Sequence, residues 1–230
     1  MKLFILFSFF LFASCLFGTP QASPYSKKVK KVSSGAVYIR IESEKQHGET
    51  CNPTSMSMIL DYYGIRASSK DLQKDSNRTE AYKKSKYLKE QLKKYNMQML
   101  YLPVSQKNQT AVFETVKRAI DCGLPLQWLV DLLKAPDYDI PQKHKRKLLK
   151  KGPVAGHARI FNGYHLNRKT QKIDYFIFTD SWGIKHRKKE IKTDDVCKMT
   201  SCFYIIAPES LPTEVIKYIY EPMQKINLNK

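Results

Sequence analysis

Apolar residues recur along the chain with two different periods. Met56, Ile59, Leu60 and Tyr63 fall at i, i+3, i+4 and i+7, the spacing of one buried helical face. Pro53 suits the first turn of that helix, where its missing N–H is not needed, and Gly64 is placed to end it. Val112, Val116, Ala119 and Ile120 mark a second amphipathic helix closed by Gly123. Weaker helical stretches fall near 69–74 and 80–95. Short apolar or alternating runs predict strands at 36–41, 97–103, 124–130, 157–164, 173–179 and 202–207. Pro125 is tolerated near the start of its run. The polar, charged stretch 134–152 reads as a surface insertion. Helices gather in the first half and strands in the second, which predicts an α+β fold rather than a parallel α/β sheet.

The first apolar run is of another kind. One lysine precedes Leu3 to Phe12, and small residues follow. That is the order of a secretory signal peptide, and about ten to fifteen apolar residues are too few for a comfortable membrane span. The expected organisation is a signal peptide at 1–22, a basic flexible arm at 23–35, a single domain at 36–220 and a tail at 221–230. Secretion or a periplasmic location follows, with no transmembrane segment in the mature chain. Lipid anchoring at Cys15 is the lesser alternative, because Phe12 stands where such cleavage boxes have Leu.

Charge changes the choice of partner. The chain carries 40 Lys+Arg against 21 Asp+Glu, a formal net charge of +19. Clusters at 27–31, 83–94, 144–151 and 185–189 predict attraction to anionic surfaces, an anionic cell envelope before nucleic acid in an exported protein. No zinc-finger spacing or RNA-binding aromatic motif accompanies them.

The chemistry is concentrated in three places. Cys51 sits where the polar loop from Gln46 meets the first helix. The unsatisfied N–H groups and positive dipole end there favour a thiolate. Gly156-His157 opens one strand and Asp180-Ser181-Trp182-Gly183 closes the next. If those strands form a hairpin, His157 and Asp180 meet at one end of the sheet. Thiol attack on a carbonyl needs a base and a group that orients it, the roles open to His157 and Asp180. It also needs donors for the oxyanion, and the Cys51 N–H and Gln46 are the candidates.

In this order the motifs resemble the papain-like cysteine peptidases, more closely the bacteriocin-processing (double-glycine) peptidases and their secreted relatives. The residues that carry the resemblance are Gln46, Cys51-Asn52-Pro53, Leu60-Asp61-Tyr62-Tyr63-Gly64, Gly156-His157 and Asp180-Ser181-Trp182-Gly183, with Gly123-Leu124-Pro125 as a further match. It spans roughly Val37 to Pro208. Asn52 stands where those peptidases have Gly, and Gln46 lies one residue nearer the cysteine than is usual. The resemblance implies N-terminal helices packed against a C-terminal antiparallel sheet. It also implies peptide-bond hydrolysis through Cys51, His157 and Asp180, with Gln46 at the oxyanion and Trp182 covering the His–Asp bond.

No cofactor or metal is implied, since the separation of Cys197 and Cys202 does not match zinc spacing. Those two cysteines are the short-loop option for a disulfide. The expected substrate is a peptide or protein. The alternatives are an acyl or amide transferase using the same triad, and a catalytically inactive basic module that binds an anionic envelope.

Overall fold

The alternating apolar runs fold into one sheet, and the helical face beginning at Pro53 packs against it. The computed structural model describes residues 23–48, 50–74, 85–105, 107–150, 152–153 and 155–228; the expected leader at 1–22 lies outside these. The order is β1 (Val29–Lys31), β2 (Ala36–Ile39), α1 (Cys51–Tyr62), α2 (Ser69–Lys74), α3 (Ser85–Lys93), β3 (Met97–Pro103), α4 (Gln109–Asp121), β4 (Leu126–Asp131), α5 (Gln142–Leu149), β5 (Gly156–Leu166), β6 (Ile173–Asp180), β7 (Lys189–Lys192), α6 (Thr193–Met199), β8 (Thr200–Pro208) and α7 (Thr213–Leu228). The class is α+β, as the sequence predicts.

All described strand pairs are antiparallel. The long strand β5 organises them: β4 pairs with its first half, β2 with its second, and β6 with the other edge. Strands β8 and β3 continue beyond β4, and β7 lies outside β6. Residues that pair across strands share a face, so Trp128 lies beside Arg159, and Arg159 beside Asp180. Trp128 stacks on Phe161 at 4.4 Å between ring centroids and meets Phe178 edge-on at 5.6 Å. Its indole N–H donates to Thr200 Oγ1 at 2.8 Å, which satisfies the one polar atom this large buried ring carries. Helix α1 buries an unbroken run from Pro53 to Leu60 and packs on β5.

Four expectations are corrected. Residues 23–35 do not form a free arm: β1 pairs with β2, Tyr25 meets Tyr63 edge-on at 5.0 Å, and Lys28 Nζ donates to Tyr62 O at 2.8 Å. Gly123 makes this docking possible. A Cβ there would lie 2.2 Å from the Tyr25 carbonyl oxygen, and its φ of +77° is one that side chains resist. The stretch 134–152 is more than a surface insertion, because it contains α5 and buries Ala135, Asp139 and Ile140. The tail at 221–230 begins inside α7, which runs on to Leu228. Cys197 and Cys202 are both free thiols, the first donating to Thr193 O. Among the described residues, no helix is long and apolar enough to cross a membrane.

Candidate active site

The ends of three elements converge at one end of the sheet. Cys51 is the first residue of α1, His157 the second of β5 and Asp180 the last of β6. Thr50 precedes the helix without capping it; its hydroxyl donates to His47 O at 2.9 Å instead. The first-turn N–H groups are thus left to other acceptors, and the backbone N–H groups of Ala158 and Asn52 act to lower the Cys51 thiol. Asn52, the departure from glycine, has no positive φ, so the backbone there does not need glycine. Its side-chain oxygen accepts from Gln127 Nε2 at 2.8 Å. Gln127 also donates to Ser55 Oγ at 2.7 Å, which ties the first turn of α1 to β4.

The β5–β6 hairpin brings His157 and Asp180 together as the sequence predicts. His157 Nε2 lies 2.8 Å from Asp180 Oδ1, with both side chains almost wholly buried. That leaves Nδ1 as the ring nitrogen for Cys51, and the two groups shift each other's titration. Trp182 stacks on the His157 ring at 4.8 Å and 25° between planes. It closes that side of the His–Asp bond to water. The turn beneath it needs glycine: Gly183 has φ +100° and ψ −175°, a region open essentially to glycine alone. A bridge between Lys45 and Trp182 anchors the turn to the loop that carries Gln46.

Burial and charge oppose each other at all three groups. Burial pushes the Cys51 thiol up, but the His157 hydrogen bond and charge, with the two N–H donors, bring it below an ordinary cysteine. For His157, burial works toward the neutral ring, and the Asp180 and Cys51 hydrogen bonds outweigh it, so the imidazolium is favoured. Burial raises Asp180, yet His157, Arg159 and Lys189 hold it below the usual carboxylate range. All three shifts favour a thiolate–imidazolium pair backed by a carboxylate.

Gln46 sits beside this trio rather than pointing freely into it. Its N–H donates to Ser181 O at 2.7 Å, its side-chain oxygen accepts from Ser181 Oγ, and Nε2 donates to Gly48 O at 2.9 Å. Sequence reasoning missed Gln127 and Arg159. Each is a polar residue inside an otherwise apolar strand run, which is itself the signal that could have flagged them.

No curated protein sequence gives a significant match. Solved structures to which the chain is similar include the following. The first is a double glycine motif protease from an AMS/PCAT transporter, in complex with the leader peptide (12% identity, TM-score 0.47, 77% of this chain and 96% of that one). The second is the peptidase domain of Streptococcus ComA, a bifunctional ABC transporter (15%, 0.49, 74% and 99%). The third is a C39-like peptidase from Bacillus anthracis (14%, 0.46, 72% and 94%). The Peptidase_C39 like family model matches residues 38–207, which include Gln46, Cys51, His157 and Asp180. With most of its length matched, this chain belongs to the Peptidase_C39 like family and is a cysteine peptidase.

Proposed function

We propose that the protein is an exported peptidase that cleaves peptide bonds through a Cys51–His157–Asp180 triad and a thioester intermediate. The observation that carries this reading is the buried His157–Asp180 hydrogen bond at the end of the sheet where α1 begins with Cys51. In the first half-reaction Cys51 Sγ adds to the scissile carbonyl. His157 then gives its proton to the leaving amine, so that a new peptide N-terminus departs and an acyl-thioester remains. In the second, His157 takes a proton from water, hydroxide adds to the thioester, and the acid is released with Cys51 restored. Asp180 keeps the imidazole in the useful orientation and stabilises its charged form.

The developing oxyanion requires donors on the Cys51 side. An amide nitrogen carries two hydrogens, and Gln46 Nε2 uses one on Gly48 O. The second is the one we assign to the oxyanion, beside an N–H of the first turn of α1. The interaction of Gln46 with Ser181 holds the carboxamide in place for this.

The test is an electrophilic peptide probe applied to protein from the native host, read by intact mass. The expected result is one adduct per chain, at Cys51, on a species whose N-terminus falls between 18 and 26. No adduct at Cys51 would leave the inactive basic module as the surviving reading, and a retained Met1 would remove export. Capture of the acyl group by an added amine in preference to water would turn the assignment to a transferase. The net charge of +19 supports an anionic cell envelope as the resident surface. Retention on anionic vesicles is expected at low salt and should be lost by moderate salt, as the screening length shrinks to about 10 Å at 0.1 M. Salt-independent retention would rule out that electrostatic partner.

A further inference from the structure

Asp180 uses only one carboxylate oxygen on His157. The other, Oδ2, accepts from Arg159 Nε at 2.9 Å, and Arg159 is fully buried. The same guanidinium donates through Nη1 to Asp139 Oδ2 at 2.6 Å, and Asp139 Oδ1 accepts from Lys189 Nζ at 2.7 Å. Its planar carbon lies 4.6 Å from the Phe178 ring centroid, 5.6 Å from Trp128 and 5.9 Å from Trp182. The partners come from separate elements: Asp139 from the segment between β4 and α5, Lys189 from the start of β7. A buried ion pair is a weak source of stability, and apolar side chains of similar volume commonly serve a core at least as well. The placement of this one, on the free oxygen of Asp180, calls for a reason beyond packing.

Resting on the triad reading above, we propose that Arg159, Asp139 and Lys189 are positioning residues that fix the Asp180 carboxylate and set the charge felt by His157. Arg159 alone would do the first and spoil the second. A guanidinium on Oδ2 locks the carboxylate so that Oδ1 faces Nε2, but its positive charge also cancels the counter-ion that the imidazolium needs. Asp139 restores the balance by neutralising Arg159 from its far side. Lys189 takes back part of that correction, weakened because it is a quarter exposed and screened by solvent. The charge sequence is therefore His157 (+), Asp180 (−), Arg159 (+), Asp139 (−), Lys189 (+). A substitution at either of the last two positions should reach the imidazole with a sign set by the charge removed. Cys51 on α1 also acts on the ring, and the rings of His144 and His186 lie 6.1 and 5.5 Å from Trp182, which stacks on His157.

The experiment needs no knowledge of the natural substrate. The His157 ring is titrated by NMR, and the rate of Cys51 alkylation by iodoacetamide is followed against pH. In the wild-type protein His157 should hold its proton above the pH of a free histidine, and Cys51 should react below the pH of a free cysteine. If neither holds, the triad reading itself has failed. If both hold, Asp139→Asn should lower the His157 midpoint by about half a pH unit or more, the scale of one charge removed from a partly buried site. Lys189→Met should raise it by a smaller amount, and Lys189→Arg should leave it at the wild-type value. Scaffolding without electrostatic coupling would leave both midpoints unmoved, or move them in the same direction, and either result overturns the proposal. Should Asp139→Asn not fold, Lys189→Met and Lys189→Arg still decide the matter, because both leave the buried trio intact.

Discussion

Cys51→Ala should reduce turnover of a cleavable peptide by about five to six orders of magnitude, the loss typical when a covalent nucleophile is removed. Its denaturation midpoint should stay near that of wild type, because a half-buried thiol at a helix start contributes little packing. His157→Ala should be nearly as damaging, since His157 is the base that favours the Cys51 thiolate. Asp180→Asn is milder in many cysteine enzymes, where thiolate and imidazolium orient one another. Here it should be more harmful, because the same carboxylate also accepts from buried Arg159 and an amide would leave that cation poorly compensated. The shifts give the pH dependence its sign. A thiol below the ordinary cysteine range and an imidazole above the ordinary histidine range leave a window between them in which the charged pair exists. Alkylation of Cys51 should therefore persist well below the pH at which free cysteine stops reacting, and Cys51 in a His157→Ala protein should react only at ordinary thiol pH. A wild-type protein whose Cys51 follows free cysteine would show that the pair does not form.

The sequence displayed the parts of this molecule whose signals are local. Helix α1 was legible from four apolar positions, a first-turn proline and a closing glycine, and β3 from an apolar run broken only by Gln98. Cys51, His157 and Asp180 were legible because each marks the end of an element with its own signature. What stayed hidden depends on distant partners. Strand β7, Lys189-Glu190-Ile191-Lys192, buries only Ile191, and α6 buries only Val196 and Met199, so neither carries a period that stands out. Residues 23–35 contain lysines and serines that suggest a solvated arm. Their docking rests on Tyr25 fitting over a glycine almost a hundred residues away. Arg159 is the sharpest case. A charged residue inside His157-Ala158-Arg159-Ile160-Phe161 announces that an acid must be near, but nothing local says which of 21 acidic residues it is. Only the β5–β6 register and the path of the chain after β4 bring Asp180 and Asp139 to it.

That buried pairing sets the largest stability effect expected outside the apolar core. Arg159→Met keeps the apolar stem and fills part of the space against Phe178 and Trp128, which should return about 1–2 kcal/mol of burial. Against this, two carboxylates with essentially no exposure lose a shared partner. Breaking a buried pair from one side costs about 3–5 kcal/mol, because it strands the charge that remains. Asp180 keeps His157 and Asp139 keeps Lys189, so neither is wholly orphaned. The net expectation is a loss of about 2–3 kcal/mol, a substantial part of the 5–15 kcal/mol that holds a domain of this size together. The pH dependence separates this cause from simple misfit. In the wild type the depressed Asp180 contributes stability that is present above its unfolded pKa and lost as pH falls through the folded value. The variant has less of that depression to lose, so the gap between the two proteins should narrow as the pH is lowered through about 4. Chemical denaturation at neutral and acid pH measures it. Adding Asp139→Leu to Arg159→Met should cost less than the sum of the two single changes, with a coupling of about 1–3 kcal/mol. A gap that stays constant with pH, together with strictly additive substitutions, would mean that Arg159 serves the core by its volume and not by its charge.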